Sequence, residues 1–323
     1  MRVSSQRLAT ETIIISDETL ISRRSLLSGT ALMAAGSLLP STAIGALGQQ
    51  HQQQFRAITK SLWVSKTSLN QLPDVLTYAK RWNFKTLVYA IPPHELMNLT
   101  TVDSITAKQI NKARRQDGFK FIVLSGDPHW AFDGNKIPKE VQNLLKVHRD
   151  TGGLFDGFQL NVEPHVLKAW RGSKRRQLAE GCYQLIKSIS RETKALKLPL
   201  SSTLYPSYSR VAVPSLGSSI LQSVVPYLNH VSISAYRNVP RRTFRVASLT
   251  LRQLSRTPVP WWLGVKTQNN RNANKTSYVN KSPEYFIESL SKIDTMAKAT
   301  RARKHYAGIA IQHHKSVMRL TGN

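Results

Sequence analysis

Apolar residues recur at two spacings along the chain, and the two spacings alternate. Short apolar runs, with strict alternation of apolar and polar residues at 157–163, predict eight strands, at residues 62–65, 86–91, 119–125, 157–163, 200–205, 231–236, 261–266 and 307–313. Apolar positions three and four residues apart predict seven amphipathic helices between them, at residues 69–82, 105–116, 141–149, 176–196, 220–228, 244–254 and 285–301.

This alternation predicts an α/β fold, a (β/α)8 TIM barrel, as a single domain over residues 58–323. A doubly wound open sheet is the alternative, but the chain has no glycine-rich phosphate loop, which favours the closed barrel. Only residues 314–323 follow the last predicted strand, so we expect the final helix to be short or missing.

The first 48 residues are typical of an export signal of the twin-arginine type. Arg23 and Arg24 precede a weakly apolar, uncharged run over residues 28–48, and small residues at 46–48 offer a cleavage site. A membrane anchor is the alternative, but Pro40 and many Gly, Ser and Thr residues make the run a poor span. We therefore expect a periplasmic or extracellular protein, with no stable membrane span after cleavage and a polar tether at residues 49–57.

The charge of the exported part is strongly positive. Residues 49–323 carry 42 Lys/Arg and 15 Asp/Glu, a net charge of +27. This favours polyanionic partners such as acidic glycans, although a generally basic exported protein is an equal alternative. Nucleic acid is not expected, because no arginine-rich arm with interleaved aromatic residues is present. Cys182 is the only cysteine, which excludes an internal disulfide, and its apolar neighbours indicate a buried thiol.

Candidate chemistry gathers at the carboxyl ends of the predicted strands, where barrel enzymes place their active sites. The stretch 156–165 is the most informative: polar residues alternate with apolar ones and deliver Glu163 to the barrel rim. Glu163 and Asp127 are the catalytic candidates, since glycoside hydrolysis ordinarily uses two carboxylates. Asp127 has an alternative role, as a cap for the turn that follows it. The substrate-binding candidates are Asn161, Gln159, His165, His129, Trp130, Tyr205, Tyr236, Arg237, Lys266 and His313.

Lys266 complicates an acid role for Glu163. A nearby ammonium lowers the pKa of a carboxyl group, whereas a general acid needs a raised pKa. Lys266 is interpreted either as a ligand for an anionic group of the substrate or as a solvated lysine of the rim. Aromatic residues at the strand ends are typical of sugar sites, although tryptophans also fill barrel cores.

The segment Asp156-Gly157-x-Gln159-x-Asn161-x-Glu163 resembles the D-G-x-D-x-D-x-E strand of family 18 glycoside hydrolases, the chitinase-like barrels. The resemblance implies a TIM barrel over about residues 58–314, with Glu163 as general acid and Tyr236 as a group that holds the substrate's acetamido group. Gln159 and Asn161 replace the two inner aspartates of that pattern. The resemblance is therefore to glycoside-hydrolase-like barrels in general and does not indicate membership of family 18.

Two further functions stay open from the residues alone. The amides at 159 and 161 and Lys266 are compatible with a catalytically silent barrel that binds an acidic glycan or a cell-envelope polymer. A metal-dependent hydrolase is the other alternative, because His94, His129, His165, His313 and His314 fall at the same predicted rim. No metal-binding spacing of histidines is present, so neither a metal nor another cofactor is expected.

Overall fold

Eight parallel strands pair in chain order, β1 to β8, and close into a barrel in which β8 also pairs with β1. The computed structural model describes residues 47–99 and 104–322, and the predicted export segment lies almost wholly outside them. The strands are β1 Lys60–Val64, β2 Thr86–Tyr89, β3 Lys120–Ser125, β4 Gly157–Leu160, β5 Leu200–Leu204, β6 His230–Ile233, β7 Trp261–Lys266 and β8 Tyr306–Gln312.

Helices cover the outside of the barrel. The α-helices are α1 Gln49–Ala57, α2 Leu72–Arg81, α3 Pro93–Leu96, α4 Ile105–Arg115, α5 Lys139–Asp150, α6 Arg175–Ala195, α7 Ile220–Val224, α8 Pro240–Leu254, α9 Ala273–Thr276, α10 Pro283–Lys298 and α11 His314–Thr321. Short 3-10 helices form at Leu69–Gln71, Met97–Leu99, Pro128–Phe132, Pro164–Val166, Lys168–Arg171, Pro206–Arg210, Val225–Tyr227 and Arg303–His305. In the described residues, no helix is long and apolar enough to cross a membrane.

The structure confirms the predicted fold class: a (β/α)8 barrel whose last helix, α11, is short. Strand β7 has the predicted bounds, and β4 starts where predicted but ends at Leu160 rather than at residue 163. Pro164 begins a 3-10 helix directly after Glu163 and has no N–H for a strand ladder, so regular pairing stops early.

Residues 49–57, predicted as a polar tether, form helix α1 and pack onto the barrel. Phe55 is fully buried, with its ring 5.3 Å from Trp82 and 5.9 Å from Phe84. Lys60 of β1 donates hydrogen bonds to the carbonyls of Phe55 and Ile58. A single large aromatic in an otherwise polar segment was the signal for this packing, because one buried Phe contributes about 2–3 kcal/mol.

The barrel interior is apolar on one side and polar on the other. Trp63, Val88, Ile122, Leu124 and Ala310 form an apolar cluster inside the barrel, from β1, β2, β3 and β8. On the opposite side, β4, β5 and β6 contribute buried polar side chains, which are Gln159, Ser201, Thr203, Ser232 and Ser234. The main core lies outside the strands, between them and the helices.

A close contact ties the segment after β3 to helix α6. A Cβ atom at Gly134 would overlap the backbone of Gly181, and a Cβ atom at Gly181 would overlap the backbone of Ala131. Neither glycine has a positive φ, so the absent side chain and not the backbone conformation explains the residue choice. The 3-10 helix Pro128–Phe132 therefore lies directly on α6, beside the carboxyl end of β3.

Burial of Lys60 gives the fold a testable pH dependence. Desolvation, with the charge of Arg56 as a second cause, lowers the pKa of Lys60 from 10.5 to about 7. Between these values the unfolded chain binds a proton that the folded chain does not, so stability rises with pH by at most about 1.4 kcal/mol per pH unit. We expect urea unfolding to show a smaller rise between pH 7 and 9 in Lys60→Met. An equal slope in both proteins would contradict the assignment.

Candidate functional site

Glu163 lies at the mouth of the barrel, three residues beyond β4. Val162 is buried in the outer core, whereas the side chains of Asn161 and Glu163 are only partly buried. The backbone N–H of Asn161 still bonds the carbonyl of Ser125 at 2.9 Å, which holds this extended segment beside the end of β3. Glu163 then occupies the N-cap position of the 3-10 helix Pro164–Val166, and its side chain makes no capping hydrogen bond there.

Burial dominates the electrostatics of the Glu163 carboxyl group. Desolvation raises its pKa above the ordinary 4.5, and three groups act in the opposite direction. These are the charge of Lys266 and hydrogen bonds from Ser234 and Asn161, of which the Ser234 hydroxyl lies 3.3 Å from Oε1. The carboxyl group therefore keeps its proton to a higher pH than an exposed glutamate, as a proton donor requires.

Lys266 and Tyr236 lie near Glu163 at the mouth. The Nζ atom of Lys266 lies 4.6 Å from the centroid of the Tyr236 ring, on the ring face. Burial lowers the pKa of Lys266, and the charge of Glu163 partly offsets this. Burial raises the pKa of Tyr236 well above its ordinary value, so its hydroxyl stays protonated. Gly264 of β7 leaves room for the ring, since a Cβ atom there would lie 3.1 Å from Tyr236.

His165 and two tyrosines build an aromatic platform beside Glu163. The rings of His165 and Tyr205 stack with centroids 3.9 Å apart and an interplanar angle of 8°. The buried Tyr208 hydroxyl lies 3.2 Å from His165 Nδ1. Burial, followed by the charge of Lys266, lowers the pKa of His165 to about 4. The imidazole is therefore neutral at neutral pH and offers a flat, polar-edged surface.

Asp127, the predicted second carboxylate, caps its own turn. Its Oδ1 accepts hydrogen bonds from the backbone N–H of His129 at 2.7 Å and pairs with His129 Nδ1 at 2.8 Å. Asp127 and His129 are both largely exposed, and Trp130 packs against the outer core. Asp127 is not among the groups that act on the pKa of Glu163. The capping alternative is thus observed, and the structure does not bring this carboxylate into contact with Glu163.

Three other predicted binding residues are bonded within the protein. Gln159 is fully buried in the barrel and bonds the hydroxyls of Ser201 at 2.8 Å and Thr203 at 3.1 Å. The buried His313 bonds Thr267 through its backbone N–H. Arg237 is partly exposed at the mouth and bonds the Tyr236 carbonyl at 2.6 Å.

A small cavity lies at the floor of the mouth, and Tyr236 is the one polar residue of its lining that the sequence analysis assigned. It measures about 10 Å³, close to the room that one water molecule needs, and Ser234, Tyr236, Trp63 and Gln312 line it. Trp63 Nε1 and Gln312 Oε1 are buried there without a hydrogen-bond partner in the structure. Trp63 and Gln312 pair directly across β1 and β8, so strand alternation was the signal that could have placed them together.

The predicted histidine cluster does not form a metal site. Within residues 47–99 and 104–322, no three His, Cys, Asp or Glu side chains are placed to hold one metal ion. His94 pairs with Glu95, His129 with Asp127, and His314 with Thr67.

Comparisons with solved structures found distant similarities. A family 18 chitinase from Cycas revoluta in complex with (GlcNAc)3 is similar at 13% identity and a TM-score of 0.48, over 81% of this chain and 96% of that chain. A chitinase from Chromobacterium violaceum is 12% identical, with a TM-score of 0.45 over 80% of this chain and 95% of that chain. A deoxyribose phosphate aldolase from Aeropyrum pernix is 13% identical, with a TM-score of 0.41 over 83% of this chain and 91% of that chain. No family model and no curated protein matches the sequence. Similarity at this level does not bear on reaction or substrate.

The charge of Lys266 can be tested through its two neighbours. In Lys266→Met we expect the pKa of Glu163 to rise further and the pKa of His165 to rise from about 4, because both lose a nearby positive charge. NMR titration of the imidazole and carboxyl resonances measures both shifts. Lys281→Met, which removes an exposed lysine near Tyr285, should leave both pKa values unchanged. Unchanged values in Lys266→Met would refute the electrostatic coupling.

Proposed function

We propose that this protein is an exported glycoside hydrolase that cleaves a polysaccharide, with Glu163 as the general acid. The observation that carries the proposal is the raised pKa of the Glu163 carboxyl group at the mouth of a barrel. Ser234, Asn161 and Tyr236 surround the carboxyl group with hydroxyl and amide groups. Such groups suit the hydroxyls and ring substituents of a sugar.

The chemistry assigned to Glu163 is proton transfer to the glycosidic oxygen as the bond to the leaving sugar breaks. The carboxylate that remains is stabilised by the charge of Lys266 and by the Ser234 and Asn161 hydrogen bonds. Because these groups favour the anion while burial favours the acid, the site stabilises both states that the cycle visits. Lys266 then assists proton release instead of preventing the acid role.

An anionic polysaccharide is the substrate class that the charges favour. Lys266 and Arg237 lie at the mouth, and the exported part carries a net charge of +27. The stacked rings of His165 and Tyr205 offer a face for a pyranose ring, and the neutral imidazole does not repel a cation or an anion. Within this proposal, Lys266 binds a carboxylate of the sugar next to the scissile bond.

Asp127 is proposed as the second catalytic group. It would activate a water molecule and would not contact Glu163. Its exposed carboxylate faces solvent beside the mouth, held by the His129 turn. A carboxylate that activates water in an inverting reaction stands about 6.5–9.5 Å from the acid, so direct contact with Glu163 is not required. Asp127 would thus act as a general base, with the paired His129 orienting it.

A catalytically silent barrel that binds an acidic glycan is the second candidate. Gln159 favours it, because this residue is fully buried and its amide is bonded to Ser201 and Thr203. An amide at this position supplies no negative charge to the site, and Asp127 is not among the groups that act on the pKa of Glu163. In this alternative the same platform and cations hold the polymer without cleaving it.

Export rests on the sequence of residues 1–48, where the paired arginines and the uncharged run favour a twin-arginine signal. A periplasmic or extracellular destination agrees with a polysaccharide substrate. The predicted cleavage residues 46–48 border helix α1, which begins at Gln49.

Removal of the acid tests the proposal. In Glu163→Gln we expect kcat to fall by at least about a hundredfold, because an amide cannot donate the proton. Reducing-end release from a panel of neutral and uronate-containing polysaccharides gives the readout, and Glu140→Gln, an exposed carboxylate of α5, is the matched control. Asp127→Asn should lose activity without losing glycan binding. Full turnover in Glu163→Gln would refute the acid role, and no turnover by the wild-type protein with retained binding would favour the silent barrel.

The pH dependence gives an independent readout. Activity should fall as the pH rises through the raised pKa of Glu163, because the ionised carboxylate has no proton to give. In Lys266→Met this alkaline limb should move to higher pH. A limb at the pKa of an ordinary exposed glutamate would contradict the assignment of Glu163.

A further inference from the structure

One long stretch of the chain has no acidic residues. From residue 193 to residue 283 the chain contains no Asp or Glu and carries thirteen Lys/Arg. This stretch includes β5, β6, α8 and β7. In the described residues, none of these thirteen cations forms an ion pair, whereas elsewhere Lys80 pairs with Asp117 and Arg114 with Asp156.

Four arginines of this stretch form one continuous ridge along helix α8. Arg241, Arg245, Arg252 and Arg256 are all exposed, and the last lies two residues beyond the helix. Spacings of four and seven residues place Arg241, Arg245 and Arg252 within about 40° of one another at 100° per residue. From Arg241 to Arg252 this arginine ridge extends about 17 Å at 1.5 Å per residue.

The ridge borders a groove near the C-terminal end of α8. Arg252, Arg256 and Arg301 line a groove of about 580 Å³, whose apolar wall is formed by Phe244, Leu251 and Ala302. In the described part of the chain, none of these arginines, nor Arg241 or Arg245, has a carboxylate within ion-pair distance. The groove thus combines apolar surface with guanidinium groups that form no ion pair with the other described residues.

Helix stability does not account for the ridge. Basic side chains are favourable in the last turn of a helix, which covers Arg252, but unfavourable near the N-terminus, where the helix dipole is positive. Arg241, Arg242 and Arg245 lie in the first half of α8, whose first turn contains no acidic residue. Like charges four residues apart, as at 241 and 245, also repel one another. The arrangement costs helix stability, which points to an external anion.

We infer that the arginine ridge and its groove bind an anionic polysaccharide outside the catalytic mouth. Guanidinium groups bind carboxylates with two parallel hydrogen bonds, and Phe244 offers an apolar surface to a sugar ring. Arg237 at the mouth precedes Arg241 by four residues, so the cations continue from the site onto the ridge. A polymer bound at both places reaches the mouth already aligned. The choice of a polysaccharide rests on the proposed function.

Two other classes of polyanion fit less well. Binding to a lipid surface ordinarily adds exposed apolar side chains, and none of the large exposed ones, Met97, Ile105, Val166, Leu216 and Tyr285, lies on α8. Single-stranded nucleic acid needs a series of aromatic rings for stacking, and the only aromatic residue on α8 is the half-buried Phe244.

The test compares two triple variants of the full chain, each in the Glu163→Gln background so that the probe is not consumed. One replaces Arg245, Arg252 and Arg256 by Gln. The other is the matched control and replaces the exposed Lys112, Arg115 and Arg149 of α4 and α5, on the far side of the barrel. Polygalacturonate is the probe, and binding is measured by calorimetry as a function of salt.

We expect the ridge variant to bind polygalacturonate about tenfold more weakly than its Glu163→Gln parent, with a shallower salt dependence, and the control variant less than about twofold more weakly. Equal losses in both variants would reduce the effect to net charge and overturn the inference. No loss in the ridge variant would overturn it as well. Ridge-dependent binding of a DNA duplex that exceeds that of polygalacturonate would assign the ridge to nucleic acid instead.

Turnover separates this inference from the proposed function. With wild-type Glu163, the ridge variant should raise KM on the polymer and leave kcat on short oligosaccharides unchanged. Ridge-dependent binding by a protein that cleaves no glycan would refute the hydrolase and keep the ridge. Cleavage that is insensitive to the ridge would refute the ridge and keep the hydrolase.

Discussion

Closure of the barrel through the pairing of β8 with β1 is the constraint on which the site depends. Pairing of Lys60 with Ile309 through Trp63 with Gln312 completes the ring of strands. Since all eight strands are parallel, closure brings their carboxyl ends around one mouth. Glu163, Tyr236 and Lys266, which are far apart in sequence, become neighbours for this reason. The same closure places the unpartnered Trp63 Nε1 and Gln312 Oε1 together on the floor.

Inside the mouth, the balance between burial and charge decides the state of the acid. A single lysine near a carboxyl group ordinarily lowers its pKa, and from the sequence this counted against Glu163. In the structure Lys266 is itself half-buried and turned onto the Tyr236 ring, and no ion pair joins it to Glu163 within the described residues. Desolvation therefore outweighs attraction, and the pKa of Glu163 rises.

Much of this arrangement could be predicted from the sequence, and there are physical reasons why the rest could not. Strand periodicity located β7 and the position of Glu163, because alternation depends only on local pattern. Helix α8 begins four residues earlier than predicted, since its first turn has polar residues and only Pro240 marks the start. The hydrogen bonds of Ser234 to Glu163 and of Gln159 to β5 could not be predicted, because they depend on barrel geometry and not on sequence spacing.

The contact between Gly134 and Gly181 bears on how a lineage with this barrel could diversify. The segment after β3 rests on α6 without intervening side chains, so insertions or bulkier residues there would force the helix away. Changes in ligand specificity would then arise more easily in other segments of the rim, such as residues 237–239 after β6 and residues 267–282 after β7. The first of these segments ends where α8 begins, and the second contains the short helix α9. Sequence changes would thus be tolerated better in these two segments than in the segment after β3.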